Sequence, residues 1–295
     1  MKKTKISCLA GGILLLFLIL LATLRETEPI GRYVRIPGFC YHDILPEDKI
    51  PKDKRGDADP WTISVEDFEK DLLYLLRRGY TPISTKDYVS NSYKGGRIPE
   101  KAFIITIDDG NKSNLLYVLP IIEKYKVPAT FCLIGDRIQL KADEEALKNP
   151  YAKFMTEEEI RELARSPLTD FASHSNKMHH QLIESSEIDR QGIIKKEEES
   201  LEEYREALLN DIVPFKTRIE DLTGKDCIAF TFPFGEVDVQ SLPILKEAGF
   251  KINYALRNSM IYYHGFEGEI QNQPRFIRKN NYSTKEFLCD LAGIK

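Results

Sequence analysis

Short apolar segments alternate with amphipathic helical segments along most of this 295-residue chain. Residues 101–107 form an apolar, β-branched run that is typical of a strand buried on both faces, and residues 129–134 form another after a predicted helix. The rhythm continues through predicted strands at 169–173 and 227–232 and a predicted helix at 242–248. Such alternation is typical of a parallel sheet with helices outside it. It predicts an α/β fold with one barrel-like domain.

Local signals set the expected limits of several other elements. The apolar segment 36–44 predicts a first strand. Ser64 is a helix-opening residue, and Gly79 ends the apolar pattern of the helix that follows it. A charged region predicts a long helix over about residues 184–222, and Pro214 is expected to break or kink it.

The first 25 residues differ from the rest. Three lysines precede an uncharged run at 6–24 that is long enough to span a bilayer. Because residues 21–24 form a poor small-residue cleavage site, we expect a retained signal anchor over 1–25, a tether over 26–35 and the folded domain over 36–295. The lysines predict an inside amino terminus, which places the domain outside a cell membrane that the chain crosses once. If the leader is cleaved, the protein is secreted.

Charge and cysteine content exclude two classes of protein. The leader contains four of the 42 basic residues and none of the 46 acidic ones, which leaves 38 basic against 46 acidic residues outside it. An acidic domain argues against nucleic acid as a partner. The five cysteines lack CxxC spacing, so a disulfide framework is not expected.

Two carboxylates directly follow the apolar run 101–107. Asp108 and Asp109 stand before Gly110, at the carboxyl end of a predicted strand, where α/β folds collect their active sites. Acidic residues before a glycine are also common turn formers, so this pair alone does not establish a site.

Three histidines follow another predicted strand. His174, His179 and His180 come after the run 169–173, and a loop must bring His174 and His179 together because residues five apart do not share one face of a helix. Isolated histidines are often surface or core residues. Here, two imidazoles and one carboxylate would make a facial set for a divalent cation, with zinc as the first expectation.

Three segments taken together resemble one enzyme family. Asp108, Asp109 and Gly110 follow Thr106 and Ile107, His174 and Ser175 lead to His179, and residues 232–235 read Phe-Pro-Phe-Gly. This set resembles the polysaccharide deacetylase family, also called NodB-like or carbohydrate esterase family 4. The resemblance implies a deformed (β/α) barrel. The apolar run at 6–24 predicts one transmembrane helix before it.

The resemblance also implies roles for individual residues. Asp108 would be the general base, and Asp109, His174 and His179 would hold a divalent metal ion, with Zn²⁺ expected first. The backbone N–H of Phe234, at the position of the family's usual tyrosine, would stabilise the oxyanion.

The chain departs from the common family pattern in three places. The two histidines are five residues apart where four is usual, so His180 stays open as an alternative to His179. The arginine often found before the Pro-aromatic-Gly segment corresponds to Thr231, so its role in orienting the base is absent or supplied elsewhere. The segment 274–278 contains no histidine that could act as the general acid.

A candidate acid lies near the other end of the chain. The segment 39–42, which ends in His42, is similar to the missing motif moved to the front, as in the poly-N-acetylglucosamine deacetylases, whose barrel looks circularly permuted. His42 would then protonate the leaving amine. The alternative is that His42 only forms hydrogen bonds at a strand end.

We therefore expect metal-dependent hydrolysis of the N-acetyl groups of an extracellular, N-acetylglucosamine-containing polysaccharide, either poly-N-acetylglucosamine or peptidoglycan, with release of acetate. Trp61 is expected either to line a sugar groove or to anchor a loop. Two other functions remain open: a catalytically inactive carbohydrate-binding protein on the same barrel, and a hydrolase of a small non-sugar amide.

Overall fold

The computed structural model describes residues 33–53, 55–139, 154–185, 188–264 and 270–295. The strands in these ranges are β1 (Val34–Ile36), β2 (Gly38–Tyr41), β3 (Asp43–Leu45), β4 (Thr62–Ser64), β5 (Thr81–Pro82), β6 (Ala102–Ile107), β7 (Ala129–Leu133), β8 (Thr169–Ser173), β9 (Ala229–Thr231), β10 (Ile252–Leu256), β11 (Ile261–Tyr263) and β12 (Gln273–Ile277). The α-helices are α1 (Val65–Arg77), α2 (Thr85–Lys94), α3 (Leu119–Tyr125), α4 (Glu157–Ala164), α5 (Leu201–Thr223) and α6 (Ser241–Glu247). Single π-helical turns cover Asn114–Val118 and Glu286–Leu291.

Seven parallel strands close into a barrel in the order β6, β7, β8, β9, β10, β12 and β2, with β2 pairing back onto β6. The strand β5 pairs with the first residues of β6. Two small sheets lie apart from the barrel: β1 with β11, which is antiparallel, and β3 with β4. The expectation of a deformed (β/α) barrel is thus confirmed.

Alternation along the strands explains why they are buried on both faces. In β6, Phe103, Ile105 and Ile107 join an apolar cluster that contains residues from the surrounding helices. Ile104 instead joins a second cluster with residues of other barrel strands, such as Ala172. Because successive side chains of a strand point to opposite faces, one short run supplies both the barrel interior and the layer under the helices.

The signals at the start and end of α1 act as expected. The Ser64 side chain accepts a hydrogen bond from the Asp67 N–H at 3.1 Å, which satisfies one of the unpaired donors of the first turn. The chain then passes through Gly79 with φ of +75°. A residue without a Cβ adopts this left-handed conformation most easily.

The prediction of one helix over about 184–222 is wrong in its first half. The helix α5 begins only after Ser200, which forms a capping box with Glu203, and residues 188–200 have no helix. Pro214 lies inside α5 and the helix continues through it, so the predicted break is absent. Buried Ile212 and Phe215 on either side of the proline pack in the core, and this packing offsets the backbone hydrogen bond that proline cannot make.

The predicted first strand 36–44 is three short strands, β1, β2 and β3. Pro37 has no N–H to donate and separates β1 from β2, while His42 separates β2 from β3. Of these three only β2 enters the barrel, where it pairs with β12 on one side and with β6 on the other. His42 therefore lies at the carboxyl end of a barrel strand.

The described residues from Val34 onward belong to one unit. Within the part of the chain that the structure describes, no helix combines the length and apolar character needed to cross a membrane. The predicted anchor at 1–25 lies outside the described residues. Since all seven barrel strands are parallel, the segments that follow them meet at one rim of the barrel, and the candidate site is built there.

Candidate active site

Asp109, His174 and His179 converge at the carboxyl rim of the barrel. The two Nε2 atoms of His174 and His179 lie 3.2 Å apart, and they lie 4.0 Å and 3.9 Å from Oδ1 of Asp109. These ligand atoms therefore form a small triangle of one carboxylate and two imidazoles. This donor set fits a divalent cation such as zinc, with coordination positions left open for other ligands.

Left-handed backbone conformations occur at three of these strand ends. Asp109 has φ of +76°, Ser175 has +66° and Phe234 has +59°. Such conformations cost roughly 1–3 kcal/mol each in a residue other than glycine and cluster at functional sites. The turns after β6, β8 and β9 are therefore held in unfavourable conformations where they carry the candidate residues.

The ring of His174 is oriented by a backbone carbonyl. Its Nδ1 lies 2.9 Å from the Thr231 carbonyl oxygen, which can only accept, so Nδ1 carries the proton and Nε2 presents a lone pair to the triangle. Burial is the main cause that lowers the pKa of His174 to about 4 and the pKa of His179 to about 3. Both rings are then neutral near pH 7, which is the form that binds metal ions.

His179, and not His180, belongs to this triangle. His180 instead contacts Oδ2 of Asp136 at 3.2 Å through Nε2, and its Nδ1 lies 3.3 Å from Oε2 of Glu184. Its two nitrogens are thus engaged with carboxylates outside the triangle. The wider spacing of the two candidate ligands comes from the loop after β8.

Arg137 borders the triangle and was not singled out from the sequence. Its Nη2 lies 3.2 Å from Nδ1 of His179, and its Nη1 lies 3.9 Å from Oδ1 of Asp109. Coordination through Nε2 of His179 would place the ring proton on Nδ1, so the guanidinium would then have to shift away from that nitrogen. Arg137 is a cation at the edge of the site.

Asp108 is buried and is held by an arginine from a distant strand. Arg275 on β12 donates from Nη1 to Oδ1 at 2.7 Å and from Nη2 to Oδ2 at 2.9 Å. The same Nη1 donates to the Thr106 hydroxyl at 2.8 Å. Burial alone would raise the pKa of Asp108, but the Arg275 guanidinium reverses this and holds the pKa well below its usual range. Asp108 is therefore an ionised carboxylate in a fixed orientation.

Cys40 also contacts this carboxylate. Its thiol lies 3.3 Å from Oδ2 of Asp108, and together with His42 these groups form a second set of possible metal ligands. Arg275 already uses both carboxylate oxygens, and burial raises the pKa of the Cys40 thiol well above its usual value. We therefore assign Cys40 as a hydrogen-bond donor to Asp108 and not as a metal ligand.

His42 and Trp61 lie next to each other at the same rim. Their ring centroids are 5.5 Å apart, and Trp61 is 42% exposed. The centroid of the Phe234 ring lies 4.5 Å from that of the His179 ring. The seven residues to which the sequence analysis gave a role thus lie on the segments that meet at this rim: His42, Trp61, Asp108, Asp109, His174, His179 and Phe234.

We predict that the triangle binds one zinc ion per chain. Replacing His174 or His179 with Ala is expected to weaken Zn²⁺ binding about 100-fold or more, because each supplies one of three protein ligands. His180→Ala is the matched control and is expected to bind Zn²⁺ like the unchanged protein. Isothermal titration calorimetry measures this, and an equal loss in His180→Ala would contradict the assignment.

Comparisons with known proteins identify the family of this chain. The family model described as polysaccharide deacetylase matches residues 95–252, more than half of the chain. A poly-β-1,6-N-acetyl-D-glucosamine N-deacetylase of Escherichia coli (strain K12) is 26% identical over 259 residues, which cover 83% of this chain and 38% of that protein. One of Staphylococcus aureus (strain MRSA252) is 22% identical over 202 residues, covering 68% of this chain and 63% of that protein. The chain thus spans well under half of the E. coli relative.

Solved structures show the same fold. A de-N-acetylase from Aggregatibacter actinomycetemcomitans has a TM-score of 0.67 at 22% identity and covers 83% of this chain and 95% of that one. IcaB from Ammonifex degensii has a TM-score of 0.63 at 19% identity and covers 88% of this chain and 97% of that one.

The residues matched by the family model include Asp108 and the triangle, whereas His42 and Arg275 lie outside them. The site therefore draws on strands at both ends of the described chain.

Proposed function

Because this chain belongs to the polysaccharide deacetylase family, we propose that it hydrolyses the N-acetyl groups of N-acetylglucosamine units in an extracellular polysaccharide of the poly-β-1,6-linked type. The single observation that carries the proposal is the triangle of Asp109, His174 and His179. It lies beside the Asp108 carboxylate, which Arg275 holds through two hydrogen bonds. The two relatives named for this activity support the choice of substrate.

The proposal includes a divalent metal ion, with zinc expected first. Asp109, His174 and His179 would hold it, since they bring one carboxylate and two neutral imidazoles together. When bound, such an ion polarises a carbonyl group and lowers the pKa of water.

The protein's own groups would handle the protons. The Asp108 carboxylate would accept a proton from the attacking water as its oxygen bonds to the acetamide carbon. The backbone N–H of Phe234 would stabilise the oxyanion. His42 would give a proton to the nitrogen as the carbon–nitrogen bond breaks, which leaves acetate and a free amine on the sugar.

Substrate binding and location complete the proposal. The exposed face of Trp61 beside His42 suits stacking against a sugar ring that adjoins the reacting unit. A polymer outside the cell would be reached if residues 1–25 anchor the chain in the membrane with the barrel outside.

The test is acetate release from β-1,6-linked N-acetylglucosamine oligomers by the purified chain. We expect release that a chelator abolishes and that added Zn²⁺ restores, because the triangle alone cannot polarise the amide. Peptidoglycan fragments are the comparison substrate. If the oligomers bind without any release of acetate, the protein is an inactive carbohydrate-binding member of the family and the proposal is wrong.

A further inference from the structure

Trp61 is held in place through its backbone. The Asp43 N–H donates to the Trp61 carbonyl at 3.3 Å. Asn280 bonds to both chain neighbours of Trp61, since its N–H donates to the Pro60 carbonyl at 3.0 Å and its side-chain amide donates to the Thr62 carbonyl at 2.7 Å. The segment after β12 therefore fixes the position of the indole beside His42.

The same segment places a cation against the indole. Lys279 directly precedes Asn280, and its Nζ lies 4.9 Å from the centroid of the Trp61 ring. Its side chain is half-buried, while the indole is 42% exposed. A sugar that stacks on Trp61 would therefore lie a few ångströms from an ammonium group.

Two other charged side chains near Trp61 are directed elsewhere. The Arg278 guanidinium is buried and donates to Asp71 at 2.7 Å. The Asp59 carboxylate accepts from the Trp61 N–H at 3.3 Å and from the hydroxyl of residue 62 at 2.8 Å, so it lies against the backbone of this turn. Lys279 is thus the cation placed over the ring that a sugar would contact.

We propose that Lys279 determines specificity by disfavouring a deacetylated sugar on Trp61; this inference rests on the proposed function. An N-acetylglucosamine unit is neutral, whereas a glucosamine unit carries an ammonium group after its acetyl group is removed. Two like charges about 6 Å apart lower binding by about threefold at the dielectric constant of water and by about tenfold at an effective dielectric constant of about 40. Each deacetylation would then make the adjoining unit a poorer substrate and so limit how densely amines form along the polymer.

The test compares two β-1,6-linked pentamers, one fully acetylated and one with a single glucosamine beside the reacting unit, at a pH where the amine is protonated. The measured quantity is the ratio of their kcat/KM values for acetate release. We expect the unchanged enzyme to prefer the acetylated pentamer by about threefold to tenfold. Lys279→Gln is expected to bring the ratio near one, Lys279→Glu to reverse it, and Lys279→Arg to keep it.

Two further measurements separate charge from other effects. High salt is expected to reduce the preference, because it screens exposed charges. Lys285→Glu is the matched control, since it makes the same change in net charge at an exposed residue outside the contacts of Trp61 and is expected to keep the preference. If Lys279→Gln and Lys279→Glu both keep the preference of the unchanged enzyme, the inference is wrong. Failure of the unchanged enzyme to release acetate from either pentamer would instead overturn the proposed function.

Discussion

Replacing Asp108 with Asn is expected to lower kcat for acetate release by about 10²- to 10⁴-fold, because the amide cannot accept the proton of the attacking water. The Asn side chain keeps the shape of Asp and one acceptor oxygen, so Arg275 keeps one of its two contacts. The Zn²⁺ affinity is expected to stay close to that of the unchanged protein, since Asp109, His174 and His179 remain. Acetate release and calorimetric Zn²⁺ titration measure the two effects separately.

Asp71→Asn is the matched control for this change. Asp71 is also a buried carboxylate that pairs with a buried arginine, Arg278, at 2.7 Å. Its replacement is expected to lower stability by a similar amount and to change kcat far less. Equal losses of kcat in Asp108→Asn and Asp71→Asn would mean that Asp108 acts only through the fold.

The approach of Asp109 to His174 could be predicted from the sequence, because both residues closely follow strands. Asp108 and Asp109 end a continuous apolar run, and His174 follows another, so a parallel sheet had to place them at one rim. The choice between His179 and His180 could not be made this way. It depends on Asp136, whose carboxylate contacts His180 from a different loop.

The pairing of Arg275 with Asp108 could not be predicted, because it depends on which strands become neighbours when the barrel closes. The strands β12 and β6 lie on either side of β2. Arg275 is 167 residues away along the chain, and Thr231 stands where the family often has its arginine. The available signal was a lone arginine inside the apolar strand β12, a position that is rarely charged without a buried partner. That signal indicates a partner but does not identify it.

The start of helix α5 was predicted wrongly for a similar reason. The region before Ser200 has the charged composition of a solvated helix, yet tertiary contacts hold it as a loop. The Tyr204 hydroxyl donates to the Ile193 carbonyl at 2.7 Å, and Arg190 donates to Glu199 at 2.9 Å. Such contacts override local helix propensity, which is a weak preference.

Replacing Arg275 with Met is expected to lower the free energy of unfolding by about 3–5 kcal/mol, as removal of one partner of a buried ion pair does. The Asp108 carboxylate would remain buried without its cation. Burial would then raise the pKa of Asp108, so the carboxyl would stay protonated, and unable to act as a base, up to a higher pH than in the unchanged protein. Activity would recover in part as the pH rises above that pKa. Urea unfolding measures the first effect, and the pH dependence of kcat measures the second.

The double variant Asp108→Asn with Arg275→Met separates the charge of this pair from its role in the reaction. Neither residue then carries a charge, so much of the lost stability should return, because replacing both partners of a buried pair costs less than removing one. Activity should stay as low as in Asp108→Asn alone, since no carboxylate is left to accept the proton. Arg275→Lys should keep more stability than Arg275→Met but lose the two-point contact that orients Asp108. If Arg275→Met unfolds like the unchanged protein and keeps its pH profile, Arg275 does not control the base.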